Sequence, residues 1–426
     1  MATYGTFTAN DGASYSNLTA LQPILKEFYG PQQVKNLVYK RNKWLAMVHK
    51  EEDWSGLVVP VPVIYGNPTG GSADFATAQA NQTASSAVRF LMSWTQDYAL
   101  ATITNLVNLA SRDNAGAFLK AVQNEMNGAL RMAENRLAGG MFRKSTGTLG
   151  QTTAAGFNAS GVGTLIDPVS VTQFEVGQTL ELSTTDGGAA ANSVNVYVVA
   201  VNRATGVLTI DISRTGTGTL TGMTGILAST QYYIRHAGDR NLKINGLADW
   251  LPTTAPTAGD NFNGVDRSKD PTRLAGIRWD GSQQTIEEAV VDAAALVARE
   301  DGNPELAITN HTTFAALEKA LGSKVNYVNY THEEAAVGFQ GIRIHGADAE
   351  INLFADRNCQ GKTIYLLDPD SWVLGSMKPC PHILTELDGL TELRVATADA
   401  TQIRIGSYAI LCSDSPGKNA VITVQS

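Results

Sequence analysis

The sequence predicts an α+β protein with a small all-β body set into it, on three observations. Between residues 111 and 139 apolar residues recur at steps of three and four, the helical period. Residues 148–236 lose that period and alternate apolar with polar, with turn residues between the runs. From residue 281 helical and strand patterns take turns, and the chain closes on strand pattern alone.

The totals set the limits within which the elements are read. A chain of 426 residues holds two or three domains, and 43% hydrophobic with 17% charged residues predicts a packed protein, not a disordered one. Lys and Arg number 32 against 40 Asp and Glu, a net charge of −8, which argues against a phosphate backbone as the main ligand. No apolar run approaches the roughly 18 residues of a membrane span. The start, MATYGTFTANDGASYSN, has neither the basic nor the apolar region of a signal peptide, so none is expected. Cys359, Cys380 and Cys412 have no zinc spacing; they fit a reducing cytoplasm and read as small buried side chains.

Along the chain, residues 1–53 mix short helical turns with extended pieces. VKNLVYKRNKWLAMVHK is basic, with Tyr39 and Trp44 interleaved, a composition that suits nucleic acid. A solvated or subunit-contacting arm is the favoured reading, because KEEDW follows and offsets the charge. LVVPVPVIY (57–65) alternates prolines with β-branched residues; proline lacks the ladder donor, so this suits an edge strand or exposed arm. GNPTGGSADFATAQANQTASSAVRF (66–90) is small and polar, with Asp74 its one charge before Arg89, and is longer than most loops in compact domains. Strand pattern returns over Val88–Thr104.

The long helix follows. Ser111 is placed to cap it, Asp113 lies in its first turn, and Gly139-Gly140 are expected to stop it. Phe118, Val122, Met126, Ala129, Ala133 and Leu137 form one stripe; Gln123, Asn127, Arg131 and Glu134 take the other side. At ~1.5 Å per residue the rod spans roughly 40 Å, and with one apolar stripe it lies across a sheet. Within 148–236, VGQTLELS, NVYVVAVN and GVLTIDIS read as strands and NRATG as a tight turn, giving a small barrel or sandwich. Residues 237–280 are loop-rich. Thr285 and Glu288 form a capping box for a helix burying Ile286, Val290, Ala294 and Val297. LAIT is a short strand, and Asn310 caps TTFAALEKAL, which ends at Gly322. GIRIHG, TIYLLD, WVLGSM, LRVATADATQIRIGSYAILCSD and AVITV read as strands.

Catalytic patterns are missing: the sequence has no GxGxxG opening a helix, no P-loop, no HExxH and no GxSxG. The six histidines are dispersed. Asp356, Asp368 and Asp370 are close in sequence, as a cation site or an acid/base pair would be. DPDS is also an ordinary turn, and that reading is preferred. No catalytic, cofactor-binding or metal residue is expected, and the chain is not expected to be an enzyme. A ligand- or glycan-binding protein using the β body is the weakest alternative.

The order of parts resembles the major capsid proteins of tailed bacteriophages, the Hong Kong 97 fold. The arm with KNLVYKRNKWLAMVHK, the strand, polar loop and return strand of VPVIYGNPTGGSADFATAQANQTASSAVRF, the long helix, and the later LAITNHTTFAALEKALG and KTIYLLDPDSWVLGSM carry the resemblance, over roughly 1–147 and 237–426. It implies an N-terminal arm (1–55), an extended loop with flanking strands (56–105), a spine helix and peripheral domain (106–147), an inserted β-domain (148–236), a connection (237–280), an axial domain (281–380) and return strands to the peripheral domain (381–426). It also implies that the extended loop lies on the next subunit, with Gly66, Phe75, Arg89, Phe90, Trp44 and Tyr39 as inter-subunit contacts. The implied function is a coat protein assembling through hexamers and pentamers into an icosahedral head around double-stranded DNA, contacted weakly and non-specifically. Its implied partners are further copies, a separate scaffolding protein, a portal and a decoration protein, with no membrane. Its place is the virion, assembled in the host bacterial cytoplasm. Two departures stand out: the insertion follows the spine helix directly, and 66–90 has no lysine, so the cross-linking chemistry of the family's type member does not carry over. An encapsulin-like nanocompartment shell is the first alternative.

Overall fold

The computed structural model describes residues 42–105, 121–192, 194–216, 218, 230–321, 327–330, 339–346, 350–385 and 389–425. Two compact units divide them: Gln96–Leu137 with Ser376–Tyr408, and Asn42–Thr95 with Ala138–Gly375 and Ala409–Ser426.

The second, larger unit begins with α1 (Lys43–Met47) and β1 (His49–Glu51). A two-stranded antiparallel ribbon follows, β2 (Val58–Gly66) and β3 (Ser86–Ser93), with α2 (Phe75–Ala80) at its tip. The polar stretch is therefore not one long loop: Asp74 accepts the Thr77 amide at 2.9 Å and its hydroxyl at 2.7 Å, and so caps a short helix.

β4 (Thr95–Thr104) carries the chain into the smaller unit. Its inward residues Ala99, Ala101 and Ile103 are buried, and its outward Tyr98 and Leu100 are exposed. α3 (Ala121–Phe142) lays Ala129 and Ala133 against Ala99, Ala101, Ile403 and Ile405, with Met126 and Leu130 beside them. Alanine on both faces lets the helix sit close to the strands. Arg136 adds a guanidinium–carboxylate pair with Asp97, 2.7 Å at the shortest. The stripe expected of this helix is present at Met126, Ala129, Ala133 and Leu137; its start, with Ser111, Asp113, Phe118 and the side chain of Val122, lies outside the described residues.

Gly139 and Gly140 do not stop α3, which runs on to Phe142. Both glycines serve close packing. A Cβ on Gly139 would stand 2.6 Å from Gln173 Oε1, and one on Gly140 would stand 2.9 Å from Ile244 Cγ2.

Next comes a closed barrel of six antiparallel strands: β5 (Gly150–Phe157), β6 (Val162–Leu165), β7 (Thr179–Ser183), β8 (Val196–Asn202), β9 (Val207–Asp211) and β10 (Tyr233–His236). Alternation fills it. Leu180, Leu182, Val196, Val198, Leu208, Ile210 and Ile234 point inward with Phe157 and Phe174, all essentially without exposure. Asn202 shapes the β8–β9 turn, its side-chain oxygen accepting the amides of Ala204 and Thr205. The last strand returns beside the first, with Tyr233 opposite Gln151 and Ile234 opposite Gly150.

α4 (Leu247–Trp250) and a small hairpin, β11 (Asn261–Phe262) and β12 (Val265–Asp266), lead to a seven-stranded mixed sheet. Its members are β13 (Ile277–Gly281), β14 (Leu306–Thr309), β15 (Tyr327–Tyr330), β16 (Phe339–His345), β17 (Glu350–Ala355), β18 (Thr363–Leu367) and β23 (Ala420–Val424), in the spatial order β13-β23-β18-β14-β17-β16-β15. α5 (Ile286–Arg299) packs Ala289, Val290, Ala293, Ala294 and Val297 on it, and α6 (His311–Leu321) contributes Leu317. The expected capping box at Thr285 and Glu288 is formed in both directions. Asn310 caps α6, its side-chain oxygen taking the amides of Thr312 and Thr313. Gly322, the expected end of that helix, lies outside the described residues.

After β19 (Trp372–Ser376), β20 (His382–Ile383) and β21 (Leu393–Arg394) pair antiparallel with β22 (Ala400–Ser413). The final residues are shared between the two units, Ser376–Tyr408 lying in the smaller one. β23 lies between β13 and β18, and residues from Ala409 onward belong to the larger unit. AVITV is buried at four of its five positions, a central-strand pattern.

Gly163 gives a test of barrel packing. A Cβ there would lie 2.5 Å from Phe157 Cδ1, a ring with no exposure. Gly163→Ala is expected to cost about 1–3 kcal/mol, read as a lower urea midpoint at unchanged slope.

Candidate assembly surface

The ribbon β2–β3 is the candidate assembly surface. Not one residue from 64 to 89 is buried. An isolated two-stranded hairpin is marginal in water, yet this one is organised along its length. At the neck, Thr83 donates its amide to Thr69 O at 2.8 Å, and Thr69 donates its amide to Thr83 Oγ1 at 3.2 Å. At the tip, the hydrogen bonds from the Thr77 hydroxyl and amide hold the Asp74 carboxyl below its ordinary pKa of 3.8. Gly66 sits at a bulge where a Cβ would come within 3.0 Å of Ser86 Cβ, so the strands close on each other there.

The base of the ribbon is fixed on the larger unit. Val61, Val63, Phe90 and Met92 face inward and are buried. Phe90 meets Trp250 edge to face at 5.1 Å, and Phe262 at 5.8 Å. Trp250 meets Trp372 at 6.2 Å and 86°, and Trp372 meets Trp44 at 6.2 Å and 84°. Arg273 holds the neck from the side, donating to Tyr65 O at 2.8 Å while it pairs with Glu300.

This geometry sorts the expected contact residues. Phe75 at the tip is 81% exposed, Arg89 is exposed, and Gly66 is half-buried at the neck. Trp44 and Phe90 are 1% and 0% exposed, and their assignment as inter-subunit contacts is corrected: both rings are spent on the aromatic column of their own chain. Tyr39 lies outside the described residues. Sequence reasoning passed over Ile64, 70% exposed, and the clamp Arg273. The first was findable, because Ile64 shares strand parity with the outward Pro60 and Pro62. The second was not, since nothing local ties residue 273 to residue 65.

Other candidates resolve into structure. Asp368 accepts the Asp370 amide in a turn before Trp372, as the DPDS reading expected. Asp356 is buried and accepts the amide of Trp44 at 3.1 Å and that of Asn358 at 2.9 Å. Among the described residues no group of three or more His, Cys, Asp or Glu is placed to hold a metal ion, and no helix is long and apolar enough to cross a membrane. Cys359 and Cys412 are buried, and burial pushes both thiols up, Cys412 to about 12.

The barrel is bolted to the α/β sheet by the turn Pro168–Gln173. Asp167 accepts the Gly361 amide at 2.9 Å, Arg357 donates to Thr172 O at 3.0 Å, and Gln173 donates to Asn358 Oδ1 at 3.1 Å. Arg143, just past α3, is buried against Ser170. Desolvation pulls its pKa down to about 10, and the nearby Asp167 offsets part of that.

No protein-family model matches the chain, and no curated protein matches it. Solved structures do. One is from the cyanophage A-1(L) capsid asymmetric unit, 10% identical over 92% of this chain and 96% of that chain, with a TM-score of 0.48. Another is from Microbacterium phage Oxtober96, 12% identical over 96% and 99%, TM-score 0.45. A third is the holo-SrpI encapsulin complex from Synechococcus elongatus PCC 7942, 7% identical over 96% of each, TM-score 0.43.

Two predictions follow from the ribbon. Phe90→Ala is expected to destabilise the fold by about 3–5 kcal/mol and Arg89→Ala by no more than about 0.5 kcal/mol, measured by chemical denaturation. The Asp74 cap, whose folded pKa is depressed, is complete above pH 3.8 and is lost as pH falls through the lower folded value. At neutral pH, Asp74→Ala is expected to speed hydrogen exchange at the Thr77 amide and to leave the barrel amides unchanged.

Proposed function

We propose that this chain is the major shell subunit of a tailed-phage head. Copies assemble through hexamers and pentamers into a closed icosahedral container for double-stranded DNA. The observation that carries the reading is the ribbon: it is defined in register, clasped at the neck and capped at the tip, yet none of residues 64–89 is fully buried on its own chain. Phe75 and Ile64, 81% and 70% exposed, are apolar side chains with the placement of an interaction site. The order of parts in the sequence supports another copy of the chain as the partner, and a subunit that reaches onto its neighbour makes the heterologous contact that closes rings. Obligate contacts of this kind bury about 2,000–5,000 Å², enough to hold a shell without covalent links.

The acidic balance supports a container that holds nucleic acid loosely. A separate scaffolding protein, a portal and a decoration protein complete the reading. Its place is the virion, after assembly in the host bacterial cytoplasm, and the chain does no catalysis. The barrel offers its outer surface to neighbours or to a decoration protein.

Deleting residues 70–85 from the full chain tests this. The expected result is a folded subunit with a melting temperature within about 4 °C of the parent that no longer forms uniform shells by electron microscopy beside its scaffold gene. Normal shells from the deletion variant overturn the assignment of the ribbon. Wild-type shells that hold an enzyme cargo and no DNA favour the nanocompartment. Phe75→Asp is expected to reduce shell yield with stability changed by no more than about 0.5 kcal/mol.

A further inference from the structure

The two edges of the ribbon are not equivalent, and the register shows how. In an antiparallel pair, opposed residues alternate between those that exchange both backbone hydrogen bonds and those whose N–H and C=O both point away from the partner. Pro60 stands opposite Leu91 and Pro62 opposite Arg89. The Leu91 amide donates to Asn263 O at 2.9 Å, away from β2, so the pair Pro60–Leu91 is of the outward kind. By the alternation, Val58–Ser93, Pro62–Arg89 and Ile64–Ala87 are outward too, and Val59–Met92, Val61–Phe90 and Val63–Val88 carry the ladder. The absence of a donor on each proline fixes the same phase independently.

The outer edge of β2 therefore lacks its donors at two successive outward positions, 60 and 62, while the internal ladder loses none. The outer edge of β3 is different. Near the base it is covered at Leu91 by Asn263, but toward the tip, at Arg89 and Ala87, no described residue pairs with it. One ribbon thus presents one edge that can accept a strand and one that cannot. Flanking apolar side chains, Val58 at 41% exposed, Leu91 at 43% and Ile64 at 70%, would otherwise reward stacking of ribbons.

We propose that Pro60 and Pro62 guard the ribbon against edge-to-edge pairing with the ribbon of a second copy. A β3 edge meeting a β2 edge is a head-to-tail contact that repeats without closing, and it ends in fibres. With β2 blanked, the repeat stops at the first encounter, and copies are left to meet through side chains. The shell reading enters only to explain why ribbons of many copies are brought together; the edge chemistry stands without it.

The test uses the full chain carrying Pro60→Thr and Pro62→Thr together, both at exposed positions. Hydrogen exchange on the dispersed protein comes first. The amides created at positions 60 and 62 are expected to exchange as fast as open loop amides, and protection there would overturn the assigned phase. Concentration-dependent aggregation comes second, followed by thioflavin fluorescence and sedimentation beside the wild type. At an unchanged melting temperature the double variant is expected to give about tenfold more sheet-rich aggregate, and adding Arg89→Pro, which blanks the β3 edge, is expected to reverse the gain. No rise, or a rise that Arg89→Pro leaves intact, overturns the guard. Should the double variant melt lower, Pro62→Thr alone gives the same two readouts. Loss of wild-type shells would count against the proposed function and would leave this comparison readable.

Discussion

The larger unit depends on one column of aromatic rings. Trp44, Trp372, Trp250 and Phe90 meet edge to face in sequence, with Phe262 wedged against the last two. Each ring comes from a different stretch of chain: α1, β19, α4, β3 and β11. Edge-to-face pairs add about 0.5–1.5 kcal/mol each beyond the area they bury, and here that gain falls on segments with little other means of attachment. α1 has five residues, α4 has four and β11 has two, too few to hold position by backbone bonding. The polar ends of two rings are satisfied at a distance, Trp250 by Leu411 O at 3.0 Å and Trp372 by Asn419 Oδ1 at 2.9 Å. Those bonds bring the C-terminal strands to the same column. The ribbon can extend into solvent because its root, Phe90, is held without exposure against Trp250 and Phe262.

Elements whose pattern is local were legible in the sequence. The capping box at Thr285, the Asn310 cap, the NRATG turn, the strands of the barrel and the apolar stripe of α3 all follow from spacing that a few residues define. Elements whose reason lies far away in sequence were not. Glycine after a helical stripe usually ends it, and only the approach of Gln173 and Ile244 explains why Gly139 and Gly140 continue the helix. Trp44 looked like a contact because it sits in a basic, exposed-looking stretch; that Trp372 waits for it is a fact about tertiary packing. The C-terminal AVITV reads as a buried strand from its own residues, but its place between β13 and β18 depends on partners more than fifty and more than a hundred residues earlier.

The candidate surface divides the same way. Small polar composition and alternating proline marked the ribbon, and exposure over 64–89 agrees with that composition. The short helix at its tip was hidden because Asp74 and Thr77 form their cap among residues otherwise typical of loops. Phe90 was misassigned because strand parity was not followed through: Val61, Val63, Phe90 and Met92 share the inward face, and one register decides all four.

The closing of the barrel by β10 on β5 has a consequence for inheritance. Because Tyr233 stands opposite Gln151, the chain leaves this body beside the point where it came in. A segment with touching ends adds almost nothing to the span its host must close, so a lineage can gain it, lose it or trade it as a cassette without rerouting α3 or the sheet beyond. Such an exchange has to preserve the contacts that tie the body to its surroundings: Asp167 and the turn Pro168–Gln173 against Arg357, Asn358 and Gly361, Arg143 on Ser170, Lys144 beside Asp186, and Arg240 and Asn241 on Gly187 O.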